Sequence, residues 1–226
     1  FVPLQVRIII SVLLGISVMS MVEVPSIETF GQMKILAVVC TEIVIGVAAG
    51  LILTIWLSAA MVAGEKIATS AGLGYAAQID PEGGGQTPVV SKMLQMFVTV
   101  LFLSLNGHLI VLRTMMESYR QLPVGETPHF GALIEGGIAA FGHMFLVASL
   151  IMLPIAITLL LVNLAIGVMT RSAPQLNLFS FGFPITMLGV FILLYLSVDS
   201  IAFALNGLAI SAMDNLEVIM GRAIYG

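Results

Sequence analysis

Three ionisable side chains, Glu42, His143 and Asp199, stand inside otherwise apolar stretches. A charge at the centre of a bilayer costs roughly 2.5–3.5 kcal/mol on insertion scales, so such residues are functional candidates by default. One chemistry open to them is a proton or ion relay along a transport path, as in a coupled carrier of small molecules. The other is structural: each faces protein, ends a helix or meets a water-filled cavity. Their irregular spacing favours the structural reading.

Catalytic arrangements of the usual kinds find no residues here. His108, His129 and His143 are far apart, and no His-Glu-x-x-His helix or Gly-x-Ser-x-Gly elbow occurs. Gly83-Gly84-Gly85 lacks the Lys-Ser/Thr that completes a phosphate cradle. Cys40 is the only cysteine, which excludes an intrachain disulfide and a multi-cysteine metal site. In its apolar run it reads as a small buried residue. The chain is therefore expected to be no enzyme and to need no metal or cofactor.

Composition says what must position such residues. The 226 residues are 59% hydrophobic and 9% charged, with a mean hydropathy of +1.13, against about 25% charged in soluble domains. Lipid or other protein, rather than water, must be the main solvent. The length allows about five or six spans of roughly 20 residues each in one helical domain over residues 1–226. The 12 acidic and 8 basic residues are scattered singly, so no basic face for nucleic acid exists. Arg113, Arg120 and Arg171 fall in successive links, and the positive-inside rule assigns no orientation.

Apolar runs cover residues 4–22, 35–64, 89–112, 132–169 and 176–205, followed by a milder amphipathic end at 206–226. The run 132–169 would reach about 57 Å as one straight helix, against a hydrocarbon core of about 30 Å. It contains Pro154, and the run 176–205 contains Pro184. A kink or break near Pro154 and bent helical hairpins are the expectation. Small residues at Ala68, Ser70, Ala71, Gly72 and Gly74 predict a surface where another helix approaches closely. Asn106-Gly107-His108 reads as a helix end.

Ile79-Asp80-Pro81-Glu82-Gly83-Gly84-Gly85-Gln86-Thr87-Pro88 breaks all regularity between two apolar helices. At membrane depth irregular backbone must be buried in protein or line a cavity, because lipid cannot satisfy its amides. A loop closing a pore and an ordinary exposed connection are both open on the residues alone.

Several blocks in order then carry a likeness. Gly64-Glu65-Lys66-Ile67, Gly72-Leu73-Gly74-Tyr75-Ala76, Asp80-Pro81, Pro88-Val89-Val90-Ser91 and Leu101-Phe102-Leu103-Ser104-Leu105-Asn106-Gly107-His108-Leu109 are followed by Leu122-Pro123-Val124-Gly125, Asn163-Leu164-Ala165, Ala173-Pro174-Gln175-Leu176-Asn177 and Gly182-Phe183-Pro184. Together, over nearly the whole chain, they strongly resemble the FliR family of flagellar export-gate proteins, which is related to the equivalent subunits of virulence injectisomes.

The resemblance implies an all-α membrane protein whose long helices bend into hairpins and pack in a multi-subunit cone. It implies a conduit component of the flagellar type III secretion apparatus, in the bacterial inner membrane at the basal body. FliP, FliQ and FlhB homologues would be its partners, with membrane lipid around it and unfolded flagellar proteins passing through. The family's pore plug maps to Ile79 through Pro88, whose tip Gly83-Gly84-Gly85 departs from the bulkier residues usual there. Glu65 and Lys66, adjacent and so directed to different sides of a helix, are expected to meet other subunits. Gly72, Gly74, Asn106, Gly107 and His108 are expected to pack there too. Family members generally carry a further hydrophobic segment before the position of Phe1, so an upstream segment is expected.

Overall fold

The computed structural model describes residues 3–19, 32–72, 88–173 and 182–225. Among them the chain forms seven α-helices: α1 (Leu4–Met19), α2 (Gln32–Ser70), α3 (Val89–Ser104), α4 (Gly107–Gln121), α5 (Phe130–Ser172), α6 (Phe183–Leu196) and α7 (Val198–Tyr225). Lys34–Ser70 and Phe130–Ser172 are each long and apolar enough to cross a membrane. The number rises to 4 if each of two bent helix pairs, α3 with α4 and α6 with α7, makes one span. This is fewer than the five or six that length allows, because α2 and α5 each place far more than about 20 residues in a single helix.

Several hydroxyl groups in these helices are satisfied locally. Ser11, Ser17, Thr41, Thr69, Ser70 and Thr99 each donate to the carbonyl one turn back, at 2.7–3.0 Å. Back-bonding of this kind lets a polar side chain sit in an apolar helix without a distant partner.

Two compact units emerge from packing. The first comprises Phe1–Ile52, His108–Gly137 and Met213–Gly226, the second Leu53–Gly107 and Ile138–Ala212. In the first, α1 has no buried residue although its composition is apolar, with Ile8, Ile9 and Ile16 exposed. The buried part there comes from Ala49 and Ile52 of α2, Leu133 at the start of α5, and Met213, Leu216, Ile219, Met220 and Ala223 of α7. Gly136 lets α5 approach α7: a Cβ there would lie 2.6 Å from the Ile219 side chain. The His129 N–H donates to the Ala223 carbonyl at 2.8 Å, tying the start of α5 to the end of α7.

The second unit is built on a small-residue face. Ala59, Ala60, Ala63, Ile67 and Ala68 of α2, with Ala71 just after it, are all within 1% of complete burial, and their spacing repeats one side of a 3.6-residue helix. Against such a face a second backbone comes close. A Cβ on Gly64 would stand 2.5 Å from the Ser91 Cα, so α2 and α3 touch backbone to backbone. Val90, Leu94, Val98 and Phe102 continue that seam along α3. Ile151, Ile155 and Leu159 of α5, Val190 of α6, and Leu205, Leu208 and Ala209 of α7 fill the rest.

Proline and glycine punctuate these helices differently from the expectation. The break anticipated near Pro154 does not occur, since α5 is one helix of 43 residues with Pro154 inside it. Proline in a helix interior costs about 3 kcal/mol. Here Pro154 itself is exposed, while Ile151, Ile155 and Leu159 around it are anchored in the core. Pro184, likewise, starts α6 rather than interrupting it, as suits a residue lacking an N–H in the first turn. The break in that region falls at Ser197, where α6 and α7 bend by 66°. Ser197 closes α6 with its N–H on the Leu193 carbonyl at 2.9 Å.

Candidate functional site

The distinctive segment of the sequence is the irregular stretch 79–88, of which Pro88 alone falls within the described residues; Ile79 through Thr87, and Gly74 before them, lie outside. What the structure describes is the frame from which that stretch departs and to which it returns.

At the departing side, the C-terminus of α2 leaves carbonyls without helical donors, as every helix end does. Gly72, at φ 80°, turns the chain in the left-handed region that glycine adopts without steric cost. Its N–H reaches the Thr69 carbonyl and that of Ala71 reaches Ile67, both at 3.0 Å. The next carbonyls are met from other helices. Asn163 of α5 donates through Nδ2 to the Ser70 carbonyl at 3.1 Å. Thr186 of α6 donates through Oγ1 to the Ala71 carbonyl at 3.0 Å, in a buried position. Leaving such a carbonyl unmet costs about 1–3 kcal/mol, so these two side chains fix the end of α2 against α5 and α6.

At the returning side, Pro88 caps α3 in an extended conformation (φ −53°, ψ 144°) and its carbonyl accepts from the Lys92 N–H at 3.1 Å. Ser91 then meets Gly64 in the close contact described above. The helix termini on either side of 73–87 thus belong to one compact unit.

The other positions singled out by sequence are distributed more widely. Glu65 and Lys66 are exposed on α2 beside buried Gly64, and among the described residues neither makes an ion pair. Asn106 takes φ 57° between α3 and α4, with its N–H on the Leu103 carbonyl at 3.1 Å. Gly107 begins α4 directly against the Phe102 ring, where a Cβ would collide with Cε2. Asn106-Gly107 is therefore the helix end expected, and His108 lies exposed in the following turn.

Glu42, His143 and Asp199 are held separately. Glu42 is half-buried and hydrogen-bonds the Tyr119 side chain. His143 stacks on Trp56 with ring centroids 5.2 Å apart and planes 21° from parallel. Asp199 is exposed in the first turn of α7, where a carboxylate complements the positive end of the helix. None of these contacts joins one of the three to another. Cys40, expected to be buried, is exposed, because the part of α2 around it packs on little else.

Sequence reasoning missed Thr186 and quoted Asn163 only as part of a longer block. A polar amide amid the apolar run around it was the available signal for Asn163, since such a group needs a partner. Thr186 gave none, because a threonine can satisfy itself on its own helix.

Comparison with known proteins completes the picture. The model of the bacterial export proteins, family 1, matches residues 1–210. Flagellar biosynthetic protein FliR of Pectobacterium carotovorum is 37% identical over 146 residues, covering 65% of this chain and 56% of the relative. FliR of Aquifex aeolicus is 30% identical over 205 residues, covering 91% of this chain and 79% of the relative. The secretion system apparatus protein SsaT of Salmonella typhimurium is 28% identical over 163 residues, covering 72% and 63%. The chain thus spans little more than half the length of the Pectobacterium relative, as it does for FliR of Escherichia coli K12, again at 56%. With the family model matched over nearly all of its length, this apolar chain, helical through its described residues, belongs to the bacterial export proteins, family 1.

Proposed function

We propose that the protein is a subunit of the export gate of the flagellar type III secretion apparatus, embedded in the bacterial inner membrane at the basal body. Its role is to form part of the conduit through which unfolded flagellar proteins leave the cell. The observation that carries this reading is the family match over residues 1–210, together with relatives named FliR. FliP, FliQ and FlhB homologues are its partners in a multi-subunit cone. Much apolar surface supports such an assembly: Phe203, Tyr195 and Leu4 are 83%, 78% and 72% exposed, and only protein or lipid can cover them favourably.

Within this gate, Ile79 through Pro88 act as the plug, with Glu65, Lys66, Gly72, Gly74, Asn106, Gly107 and His108 packing at subunit boundaries. The rigid frame supports the plug reading, because a closure must be held firmly at both ends to seal while its middle yields. Deleting Gly83 to Gln86 is expected to leave assembly intact and raise the ion conductance of the assembled gate. Unchanged conductance would remove the sealing role, and failure to co-purify with FliP and FliQ homologues would remove the gate assignment itself.

The likeness to SsaT favours a second reading, the equivalent subunit of a virulence secretion system. That reading shares the mechanism and differs in the exported proteins. Complementation of a motility-deficient strand of cells lacking the flagellar subunit separates the two.

A further inference from the structure

Within the first compact unit, α4 and the last turns of α7 enclose an open cavity of about 420 Å³. Arg113 and Thr114 line it from α4, and Glu217, Met220 and Ile224 from α7. Of the three charged side chains that line it, two are uncommitted: Arg113 and Glu217 are both exposed, and among the described residues neither has an ion-pair partner. The third, Glu117, meets Arg120 at 3.6 Å and accepts from the Gln121 amide at 3.3 Å. Thr114 is only 9% exposed, and its Oγ1 has no hydrogen-bond partner among the described residues.

Each feature points to the same kind of occupant. Opposite charges that share a cavity without pairing suit a ligand that itself carries both signs. The Thr114 hydroxyl is unmet but sealed in the wall, and a rotation toward the cavity brings it to a polar atom of the ligand. The walls given by Met220 and Ile224 suit an apolar continuation of that ligand. A cavity of this size lies in the range of small-ligand sites, too small for a folded segment of another protein. The pair α3–α4 passes as one bent span, and within it the apolar composition of α3 gives way in α4 to Arg113, Glu117 and Arg120. That change of composition is the one expected at headgroup depth.

We propose that this cavity binds a zwitterionic phospholipid with a primary amine in its headgroup, of the phosphatidylethanolamine type. The Arg113 guanidinium donates to the phosphate oxygens. The lipid ammonium donates to the Glu217 carboxylate, Thr114 Oγ1 bonds the phosphate or ester oxygens, and Met220 and Ile224 receive the glycerol and first acyl carbons. A choline headgroup has no N–H to donate to Glu217. A glycerol headgroup brings no cation at all.

The test uses the full-length protein, extracted in mild detergent with its accompanying subunits and exposed to an equimolar mixture of phosphatidylethanolamine, phosphatidylcholine and phosphatidylglycerol. Native mass spectrometry reads the lipid retained. Phosphatidylethanolamine is expected to be retained about tenfold over each of the others, as for one well-made charged contact. Both R113Q and E217Q are expected to abolish that preference, and T114V to weaken it. These first two side chains are exposed, so the thermal melting of R113Q and E217Q is expected to match the parent. Equal retention of the three lipids, or a preference surviving in both charge variants, would overturn the proposal. So would displacement of the lipid by equimolar soluble phosphoethanolamine, which lacks the glycerol and acyl chains. Lipid retention is read without any export assay, so its failure is distinct from failure of the gate reading.

Discussion

The two compact units solve the problem of apolar helices in different ways. In the second, alanine and glycine bring α2 against α3 until backbones touch, and polar side chains from α5 and α6 meet the carbonyls at the end of α2. In the first, α1 buries nothing, and cavities of about 420 and 490 Å³ are lined by charged side chains that include Arg113, Glu217, Glu135 and Arg222. Close backbone packing leaves few alternatives, because van der Waals contact is lost steeply once helices separate. Open, charged cavities instead leave binding capacity unspent. Close backbone packing marks one unit, and open cavities lined by charge mark the other.

This contrast can be broken most directly at Gly64. Gly64→Val drives a branched side chain into the Ser91 backbone and is expected to destabilise the protein by about 3 kcal/mol, at the upper end of overpacking costs. A drop in thermal midpoint measured on the detergent-solubilised protein checks it, and an unchanged midpoint would mean that the seam between α2 and α3 is looser than described. A conventional apolar surface position, Leu160 at 65% exposure, serves as the control.

The polar clamps come next. Asn163→Leu and Thr186→Val each leave one carbonyl at the end of α2 unmet and are expected to cost about 2 and about 1 kcal/mol. Hydrogen exchange at the Ala71 and Gly72 amides should accelerate in both. The double variant is expected to cost more than the sum, because either clamp alone still holds the same helix end.

In the first unit the same type of change should matter less. Tyr119→Phe removes the hydrogen bond to Glu42 and is expected to cost about 0.5–1 kcal/mol, since Glu42 is only half-buried and water can take over. A loss as large as that of Asn163→Leu, read by the same melting experiment, would erase the distinction between the units.

The smallest effect is expected at Pro154. Because α5 already runs through it, Pro154→Ala should stabilise the isolated helix, by less than the roughly 3 kcal/mol separating proline from alanine in a host helix, and leave secretion unchanged. Circular dichroism at fixed concentration reports the helix, and complementation of secretion reports the function. Lost secretion with unchanged helicity would show that the proline itself is used.

How far the sequence was legible follows from these particular residues. The runs 35–64 and 132–169 were recognisable because apolar composition is a local property, and α2 and α5 include both of them. The helix end at Asn106-Gly107 was readable because asparagine and glycine tolerate left-handed backbone. Pro154 did not break the helix, because its neighbours Ile151 and Ile155 hold core contacts that local propensity does not weigh. The break at Ser197 carried no proline or glycine and was invisible for that reason. Thr186 was hidden because its carbonyl partner lies more than a hundred positions away in the chain.

The sequence by itself determined that these residues form long apolar helices, that a proline- and glycine-rich stretch stands between two apolar runs at 79–88, and that ordered motif blocks place the chain among the export proteins. All of these depend on residue type and short spacing. Only the tertiary structure decided that α2 ends where Asn163 and Thr186 clamp it, that Gly64 exists to admit the Ser91 backbone, and that Arg113 and Glu217 share a cavity. Those are meetings of residues distant in the chain, and they depend on how helices pack, which no local pattern encodes.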